Sequence, residues 1–171
     1  TGRTRQMNKT AEVDYKIQEN FLDEEEFKFM QDQFLGAYFP WYYQSNVVEY
    51  KGDNDYYFTH QMYVNLQWNN DRQLIQPLLD ALNINALIRI KANLYPRSDK
   101  LITHKYHIDT EYTHTSSLLY INTNNGFTIL EDGTKIKSVA NRLLTIDGSK
   151  KHCSTNCTDK TARVNIGVNY F

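Results

Sequence analysis

Apolar residues recur with helical spacing in two segments of the N-terminal half. In the first segment they follow Asp23, which with Glu26 three residues later resembles a capping box. The apolar face that this pattern predicts has three members: Phe27, Met30 and Phe34. The second segment, residues 71–82, predicts another helix that ends at Asn83. Its apolar stripe is formed by Leu74, Leu78 and Leu82.

From residue 85 onward the pattern changes to short β-branched and aromatic runs separated by Asn, Asp and Gly. The runs are ALIRIKANLY, SSLLYINT, GFTIL, KIKSV, RLLTI and RVNIGVNYF. NNG at 124–126 and EDG at 131–133 predict hairpin turns. Further strands are expected at 15–20, 47–50 and 56–65. The predicted fold class is α+β, with N-terminal helices packed against a C-terminal β-sandwich or barrel of antiparallel strands.

Composition adds limits on the kind of protein. The chain has 171 residues without an internal repeat or linker, so we expect one domain over 11–171. The net charge of −1 gives no general attraction to nucleic acids or membranes, and no apolar run is long enough to cross a bilayer. We expect a soluble, cytoplasmic protein in which Cys153 and Cys157 are free thiols. Residues 1–10 are expected to be a flexible tail, with 1–6 a remnant of expression.

The segment THKYHIDTEYTH, residues 103–114, contains three of the five histidines. In an extended chain His107 and Asp109 would share a face, and His104 would point away. His152, 43 residues after Asp109, supplies a third ligand. Two imidazoles and one carboxylate leave open positions on a metal ion and suit non-haem Fe(II). The alternative is three unrelated polar residues. Structural roles are expected for the other histidines: His60, His104 and His114.

The last run predicts a strand with one polar and one apolar face. The polar face carries Arg163, Asn165, Gly167 and Asn169; the apolar face carries Val164, Ile166, Val168 and Tyr170. A partly buried arginine requires an anionic partner, and its guanidinium pairs well with a carboxylate. That partner is either the distal carboxylate of a diacid cosubstrate or a carboxylate of the protein.

The run ALIRIKANLY also alternates. Its polar face carries Arg89, Lys91, Asn93 and Tyr95, opposite Ile88, Ile90 and Leu94. A tyrosine hydroxyl and an asparagine amide on an inward face would orient the same diacid. A core tyrosine and an asparagine that only satisfies backbone groups are the alternatives.

These positions together resemble the Fe(II)/2-oxoglutarate-dependent dioxygenase superfamily, in its prolyl-hydroxylase-like branch. The signature is HxD, a distal histidine and then an arginine, here His107-Ile108-Asp109, His152 and, eleven residues later, Arg163. NLYP, NNGFT and NRLLTIDGSKKH are also similar to that branch. The resemblance covers residues 15–171 and implies a double-stranded β-helix (jelly roll, cupin-like) with the site at one mouth.

The resemblance implies a metal site and a cosubstrate site. Fe(II) would be bound by His107, Asp109 and His152. 2-Oxoglutarate would be bound by Arg163 at its distal carboxylate, with Tyr95 and with Asn165 or Asn93. The implied reaction uses O2, converts 2-oxoglutarate to succinate and CO2, and hydroxylates a substrate that the sequence does not identify. A peptidyl or protein side chain such as proline and a small molecule are both candidates.

Two other functions stay open. An AlkB-like nucleic-acid demethylase also has NxY before its HxD, but the slightly acidic chain shows no basic stripe for phosphates. In addition, that branch has a second arginine after the anchor strand, which is missing here, and Asn169 stands six residues past Arg163. The third possibility is a non-catalytic jelly-roll binding module, in which the triad would be incidental.

Overall fold

The computed structural model describes residues 14–47, 55–69 and 71–171. The predicted tail, residues 1–10, lies outside these ranges, as do residues 48–50 of the predicted strand 47–50. Val47, the described residue of that strand, lies in a bend. No helix within the described ranges is long and apolar enough to cross a membrane.

Helical elements in the described ranges are few and lie in the N-terminal half. They are α1 (Glu24–Leu35), a 3₁₀ turn (Arg72–Ile75) and α2 (Gln76–Ala81). The strands are β1 (Tyr15–Gln18), β2 (Tyr42–Gln44), β3 (Tyr57–Val64), β4 (Gln67–Trp68), β5 (Leu87–Pro96), β6 (Thr115–Tyr120), β7 (Phe127–Leu130), β8 (Lys135–Lys137), β9 (Leu143–Asp147), β10 (His152–Ser154) and β11 (Ala162–Tyr170).

The strands form a large and a small antiparallel sheet. The order in the large sheet is β1-β9-β6-β11-β5-β3-β2, with β4 paired to β3, and the order in the small sheet is β10-β7-β8. β11 therefore lies between β5 and β6, the position with the most main-chain partners. Consecutive strands such as β5 and β6 are not neighbours, because β11 from the end of the chain is inserted between them.

Two hydrophobic clusters flank the large sheet. Its outer face packs against the helices through residues that include Val164, Ile166, Val168, Ile90, Phe27, Met30, Phe34 and Leu78. The second cluster joins the two sheets and consists of Tyr120, Leu130, Ile136, Leu144 and Ile146, with Leu118 against it. Helices on one face and a second sheet on the other give the predicted double-stranded β-helix, so the fold class is confirmed.

The predicted capping box of α1 does not form. Asp23 is the N-cap residue, but its side chain makes no capping hydrogen bond, and the amide of Phe27 donates to the main-chain oxygen of Asp23. Three glutamates in the first turn, Glu24, Glu25 and Glu26, interact favourably with the helix dipole instead.

The second predicted helix is shorter than the apolar stripe suggested. Residues 72–75 form a 3₁₀ turn, and the α-helix begins at Gln76 and ends at Ala81. Pro77 stands in the first turn of α2, where its missing N–H costs nothing, whereas in the middle of one longer helix it would remove a hydrogen bond. The stripe itself is confirmed, because Leu78 and Leu82 are buried and Leu74 packs against them.

Only one of the two predicted hairpin turns is correct. EDG at 131–133 joins β7 to β8, and Gly133 adopts a φ of +88°, which favours glycine. NNG at 124–126 is not a hairpin turn, because β6 and β7 belong to different sheets. The side chain of Asn124 accepts a hydrogen bond from the amide of Gly126 at 2.9 Å, and this local turn directs the chain from one sheet to the other.

Asn141 connects the segment before α1 to the turn before β9. Its side chain accepts from the amide of Leu22 at 2.9 Å and donates to the carbonyl of Leu22 at 2.8 Å. Its φ of +60° lies in the left-handed region, which asparagine tolerates better than most residues. This buried side chain thus fixes where the helical layer meets the sheet.

We predict that Asn141→Ala lowers the free energy of unfolding by about 3 kcal/mol, because two buried main-chain groups lose their partners and alanine must adopt a left-handed conformation. The matched control is Asn20→Ala, at an exposed residue with a φ of +47°. That variant carries only the conformational cost, about 1 kcal/mol. Urea denaturation measures both. Equal losses in the two variants would show that the hydrogen bonds to Leu22 contribute nothing.

Candidate functional site

Residues 103–114 do not form a strand, although the sequence suggested an extended chain. The segment follows an irregular path that pairs at isolated points with the region around β10, Thr103 with Thr155 and His107 with His152. The amide of His107 donates to the carbonyl of His152 at 2.9 Å, and the reverse bond is 3.0 Å. This main-chain pair brings the two imidazole rings to a centroid separation of 4.6 Å.

His107, Asp109 and His152 come together at one point inside the fold. Each offers one ligand atom, and the three atoms lie within 4.8 Å of one another. Nδ1 of His152 lies 3.0 Å from the carbonyl oxygen of Lys150, to which it must donate. The lone pair of that ring is therefore on Nε2, which is 4.0 Å from Oδ1 of Asp109. The three side chains are thus arranged so that one metal ion could contact all of them.

The pKa values of His107 and Asp109 suit metal binding at neutral pH. Burial, together with the nearby His152, lowers the pKa of His107 to about 4, although Asp109 partly opposes this shift. Burial alone would raise the pKa of Asp109, but the proximity of His152 and Arg89 and hydrogen bonds from Asn169 and Ser116 lower it to about 2. Transition metals require neutral imidazole and ionised carboxylate, and these are the forms that the environment favours.

Asp109 is held by three donors on three neighbouring strands. Arg89 of β5, Asn169 of β11 and Ser116 of β6 stand opposite one another across the sheet. Arg89 donates to Oδ1 at 3.0 Å, while Asn169 and Ser116 donate to Oδ2 at 2.8 and 2.9 Å. Both lone pairs of Oδ2 therefore accept hydrogen bonds. Oδ1 accepts one bond, so its second lone pair remains available, and Oδ1 is the oxygen nearer His152. The sequence assigned no role to Arg89 or Ser116, because it does not reveal the register of the three strands.

The same register arranges the inner face of the large sheet in further cross-strand rows. After the row that holds Asp109, the rows are Lys91–Gly167–Leu118, then Asn93–Asn165–Tyr120, then Tyr95–Arg163. Successive rows are about 6.6 Å apart along a strand. A single cavity is lined by the triad and by members of all four rows. The candidate site is therefore a polar trough that leads from the triad towards Arg163.

Arg163 is fully buried, and its charge has no carboxylate partner within 4.0 Å among the described residues. Its nitrogens donate to neutral oxygens: Ser138 Oγ at 2.7 Å, Ser154 Oγ at 2.8 Å, Thr128 Oγ1 at 3.0 Å and the carbonyl of Thr155 at 3.3 Å. Within the described ranges, the protein thus does not supply the ion pair that was one alternative for Arg163. A buried guanidinium without a counter-charge is unfavourable unless a ligand brings one.

Thr128 and Ser154 accept hydrogen bonds from Arg163 and also line the cavity. Oγ1 of Thr128 is within hydrogen-bond distance of both Arg163 and the hydroxyl of Tyr120, which is 2.7 Å away. The bond between the hydroxyls of Thr128 and Tyr120 uses one of their two protons, so the other hydroxyl proton remains available for a different acceptor. Tyr120, which the sequence did not single out, packs with its ring 5.6 Å from the guanidinium carbon.

Asn93 and Asn165 lie side by side under the middle of the trough. Nδ2 of Asn93 donates to Oδ1 of Asn165 at 3.0 Å, which leaves Oδ1 of Asn93 and Nδ2 of Asn165 buried without a partner among the described residues. Because buried polar atoms are nearly always hydrogen-bonded, this acceptor and donor require a partner such as water or a ligand. Tyr95 is buried between the rings of Tyr57 and His104, at 5.5 and 5.2 Å. Burial raises its pKa, so its hydroxyl remains a donor.

The remaining histidines and the cysteines lie outside the triad. His60 is satisfied by the carbonyl of Pro40 and by Asp71, both 2.8 Å away. His114 contacts Nδ2 of Asn169 at 3.0 Å, so it supports the residue that holds Asp109. Both cysteines, Cys153 and Cys157, are buried free thiols, as predicted.

Comparisons with known proteins give a fold but no sequence family. No family model matches the chain, and no curated protein matches it. A prolyl hydroxylase from Trichoplax adhaerens, solved in complex with a hypoxia-inducible-factor peptide fragment, is 15% identical with a TM-score of 0.68, over 92% of this chain and 83% of that one. A prolyl-4-hydroxylase from Pseudomonas putida is 15% identical with a TM-score of 0.58, over 94% of both chains.

A third similar structure is an oxidoreductase of the 2OG-Fe(II) oxygenase family from Burkholderia pseudomallei. It is 12% identical, with a TM-score of 0.64, over 91% of this chain and 84% of that one. These structures are double-stranded β-helix proteins, and the similarity extends over nearly the whole chain. At such low identity the similarity shows a common fold.

Gly126 is required beside Arg163. A Cβ at this position would lie 2.5 Å from the carbonyl oxygen of Asn156 and 2.6 Å from Cδ of Arg163. We therefore predict that Gly126→Ala lowers the free energy of unfolding by about 2–3 kcal/mol through overpacking. Gly167→Ala is the control, because its nearest contact would be an ordinary 3.7 Å. Urea denaturation compares the two variants. Equal stability would mean that the residues around Arg163 can move to accommodate the added methyl group.

Proposed function

We propose that this protein is an Fe(II)- and 2-oxoglutarate-dependent dioxygenase that hydroxylates a peptidyl or protein side chain or a small molecule. The observation that carries the proposal is one cavity that is lined by a His-Asp-His cluster and also by Thr128 and Ser154. These two hydroxyls bind the buried Arg163, which has no carboxylate partner among the described residues. A structural module would gain nothing from a buried charge without a partner. The common fold with prolyl hydroxylases supports the same function.

His107, Asp109 and His152 would hold the iron. The donor set fits, because two imidazoles and one carboxylate leave coordination positions for a cosubstrate and O2, whereas a structural zinc site fills all four positions. When bound, the iron would supply the oxidation chemistry, in which 2-oxoglutarate is converted to succinate and CO2. The protein residues around it hold Asp109 in one orientation through Arg89 and Asn169.

Arg163 would pair with the distal carboxylate of 2-oxoglutarate. The hydroxyls of Thr128 and Ser154 accept from the guanidinium and line the cavity. These groups offer a carboxylate several donors at the wall of the cavity. Tyr95 would donate from its hydroxyl and Asn165 from Nδ2 to further oxygens, while Asn93 would orient Asn165 through the bond between their side chains.

The proposed substrate class is supported by one of the similar structures. One structure of this fold is described as a prolyl hydroxylase in complex with a peptide fragment, which supports a peptide or protein substrate. Asp109 provides the carboxylate that the family's halogenating members lack, so hydroxylation is the proposed reaction. The direct test is succinate formation from 2-oxoglutarate with Fe(II) and O2, across peptides, free amino acids and nucleosides.

We predict that His152→Ala abolishes this succinate formation and weakens metal binding by at least about a hundredfold, because one ligand of three is lost. Anaerobic calorimetry with Fe(II) measures the binding. His104→Ala is the control, since His104 is a buried histidine of the same segment outside the cluster. Equal affinities in the two variants would remove His152 from the metal site. A wild type that binds neither Fe(II) nor 2-oxoglutarate would favour a non-catalytic module.

We predict that Arg163→Lys raises the KM for 2-oxoglutarate by about tenfold or more, because an ammonium cannot replace the planar guanidinium and a charge-assisted bond contributes about 1.5–3 kcal/mol. Steady-state succinate assays measure this change. Arg142→Lys serves as control, since Arg142 pairs with Glu19 and lies outside the cavity. An unchanged KM in Arg163→Lys would place the cosubstrate's anchor elsewhere.

A further inference from the structure

Lys91 is a second cation in the cavity, and neither the metal nor the 2-oxoglutarate site uses it. It stands in the row next to the one that holds Asp109, and it lines the same cavity as the triad. Across the sheet it faces Gly167, which has no side chain, and beyond that Leu118, which cannot form a hydrogen bond through its side chain. On the side of Lys91 that faces β11 and β6, the sheet therefore presents no side chain that can form a hydrogen bond.

The ammonium of Lys91 has no counter-charge within the described ranges. No carboxylate there lies within 4.0 Å of Nζ. Asp109, the acidic group of the cavity, already accepts hydrogen bonds from Arg89, Asn169 and Ser116. The contact that Lys91 does make is with the ring of Tyr57, 5.8 Å from Nζ to the centroid. Burial and then the charge of Arg89 lower its pKa to about 8, while the carboxylate of Asp109 opposes this shift.

Among the described residues, the charges in and around the cavity do not balance even when the proposed ligands are counted. The positive groups are the divalent ion, Arg89, Lys91 and Arg163. The negative groups are Asp109 and the two carboxylates of 2-oxoglutarate. Arg163 would be neutralised at the far end of the trough, several rows from Lys91 along the strands. Excess positive charge therefore remains near the triad, where a substrate must approach.

We propose that Lys91 is a second anion subsite, which binds a carboxylate of the substrate and so selects acidic substrates. This inference rests on the proposed function, because it assumes that the ion and 2-oxoglutarate occupy the other two parts of the cavity. The ammonium donates to the carboxylate, and Gly167 provides the space for it. The substrate class is thus a molecule with a carboxylate near the carbon that reacts, such as a free or N-acylated amino acid.

The test uses the protein loaded with Zn(II), which does not react with O2, and with 2-oxoglutarate. The probes are N-acetyl amino acids, each as the free acid and as the matching carboxamide, titrated by ligand-observed NMR. We expect the wild type to bind one or more acids at least about tenfold more tightly than the carboxamides, the size of a charge-assisted contact. Lys91→Met, which keeps an unbranched side chain but removes the charge, should lose this preference.

Lys137→Met is the matched control, because Lys137 is exposed on β8 outside the cavity, and it should keep the preference for acids. Failure of Zn(II) or 2-oxoglutarate to bind would overturn the proposed function itself. If both bind, three results overturn the role of Lys91 alone. They are an acid preference that survives in Lys91→Met, no acid bound by the wild type, and a loss of 2-oxoglutarate affinity in Lys91→Met as large as the loss for the acids.

Discussion

The pairing of β11 with β5 on one side and β6 on the other determines the interior of this protein. Once that register is set, every second residue of the three strands must face the small sheet. Arg89, Asn169 and Ser116 then meet at one level, and their three donors orient Asp109. The opposite face packs against the helices through Val164, Ile166 and Val168. The hydrophobic face thus holds the strands in place, and the polar face forms the site.

The polar interior is costly for stability. A guanidinium is withdrawn from water without a carboxylate partner in the described ranges, and in the same ranges an amide donor and an amide acceptor are left unpaired. Neutral hydroxyls from Ser138, Ser154 and Thr128 compensate Arg163 in part. The helical layer and the cluster between the sheets supply the hydrophobic stabilisation that offsets this cost. Such an arrangement is expected where a dianion and a cation are to be bound in a rigid site.

The errors of the sequence-based predictions share a cause. The leucine stripe over 71–82 was real, but Pro77 divides the segment into a 3₁₀ turn and a short α-helix. NNG has the composition of a hairpin turn, yet it connects two different sheets, because the strand after it pairs with β8 and β10 rather than with β6. Residues 103–114 were expected to be extended, but two isolated pairings with the region around β10 hold an irregular segment in place. In each case the local pattern was compatible with more than one path of the backbone.

The sequence by itself determined the α1 segment, the alternation of β5 and β11 and the identity of the residues that face inward, because side-chain periodicity is a local property of the backbone. It also brought His107, Asp109, His152 and Arg163 into consideration, since their chemistry and order are visible in the chain. Only the tertiary structure decided that Ser116 and Arg89 hold Asp109, that Thr128 and Tyr120 surround Arg163, and that Lys91 has no counter-charge in the described ranges. These facts depend on strand order and register, which arise from contacts between residues far apart in the sequence.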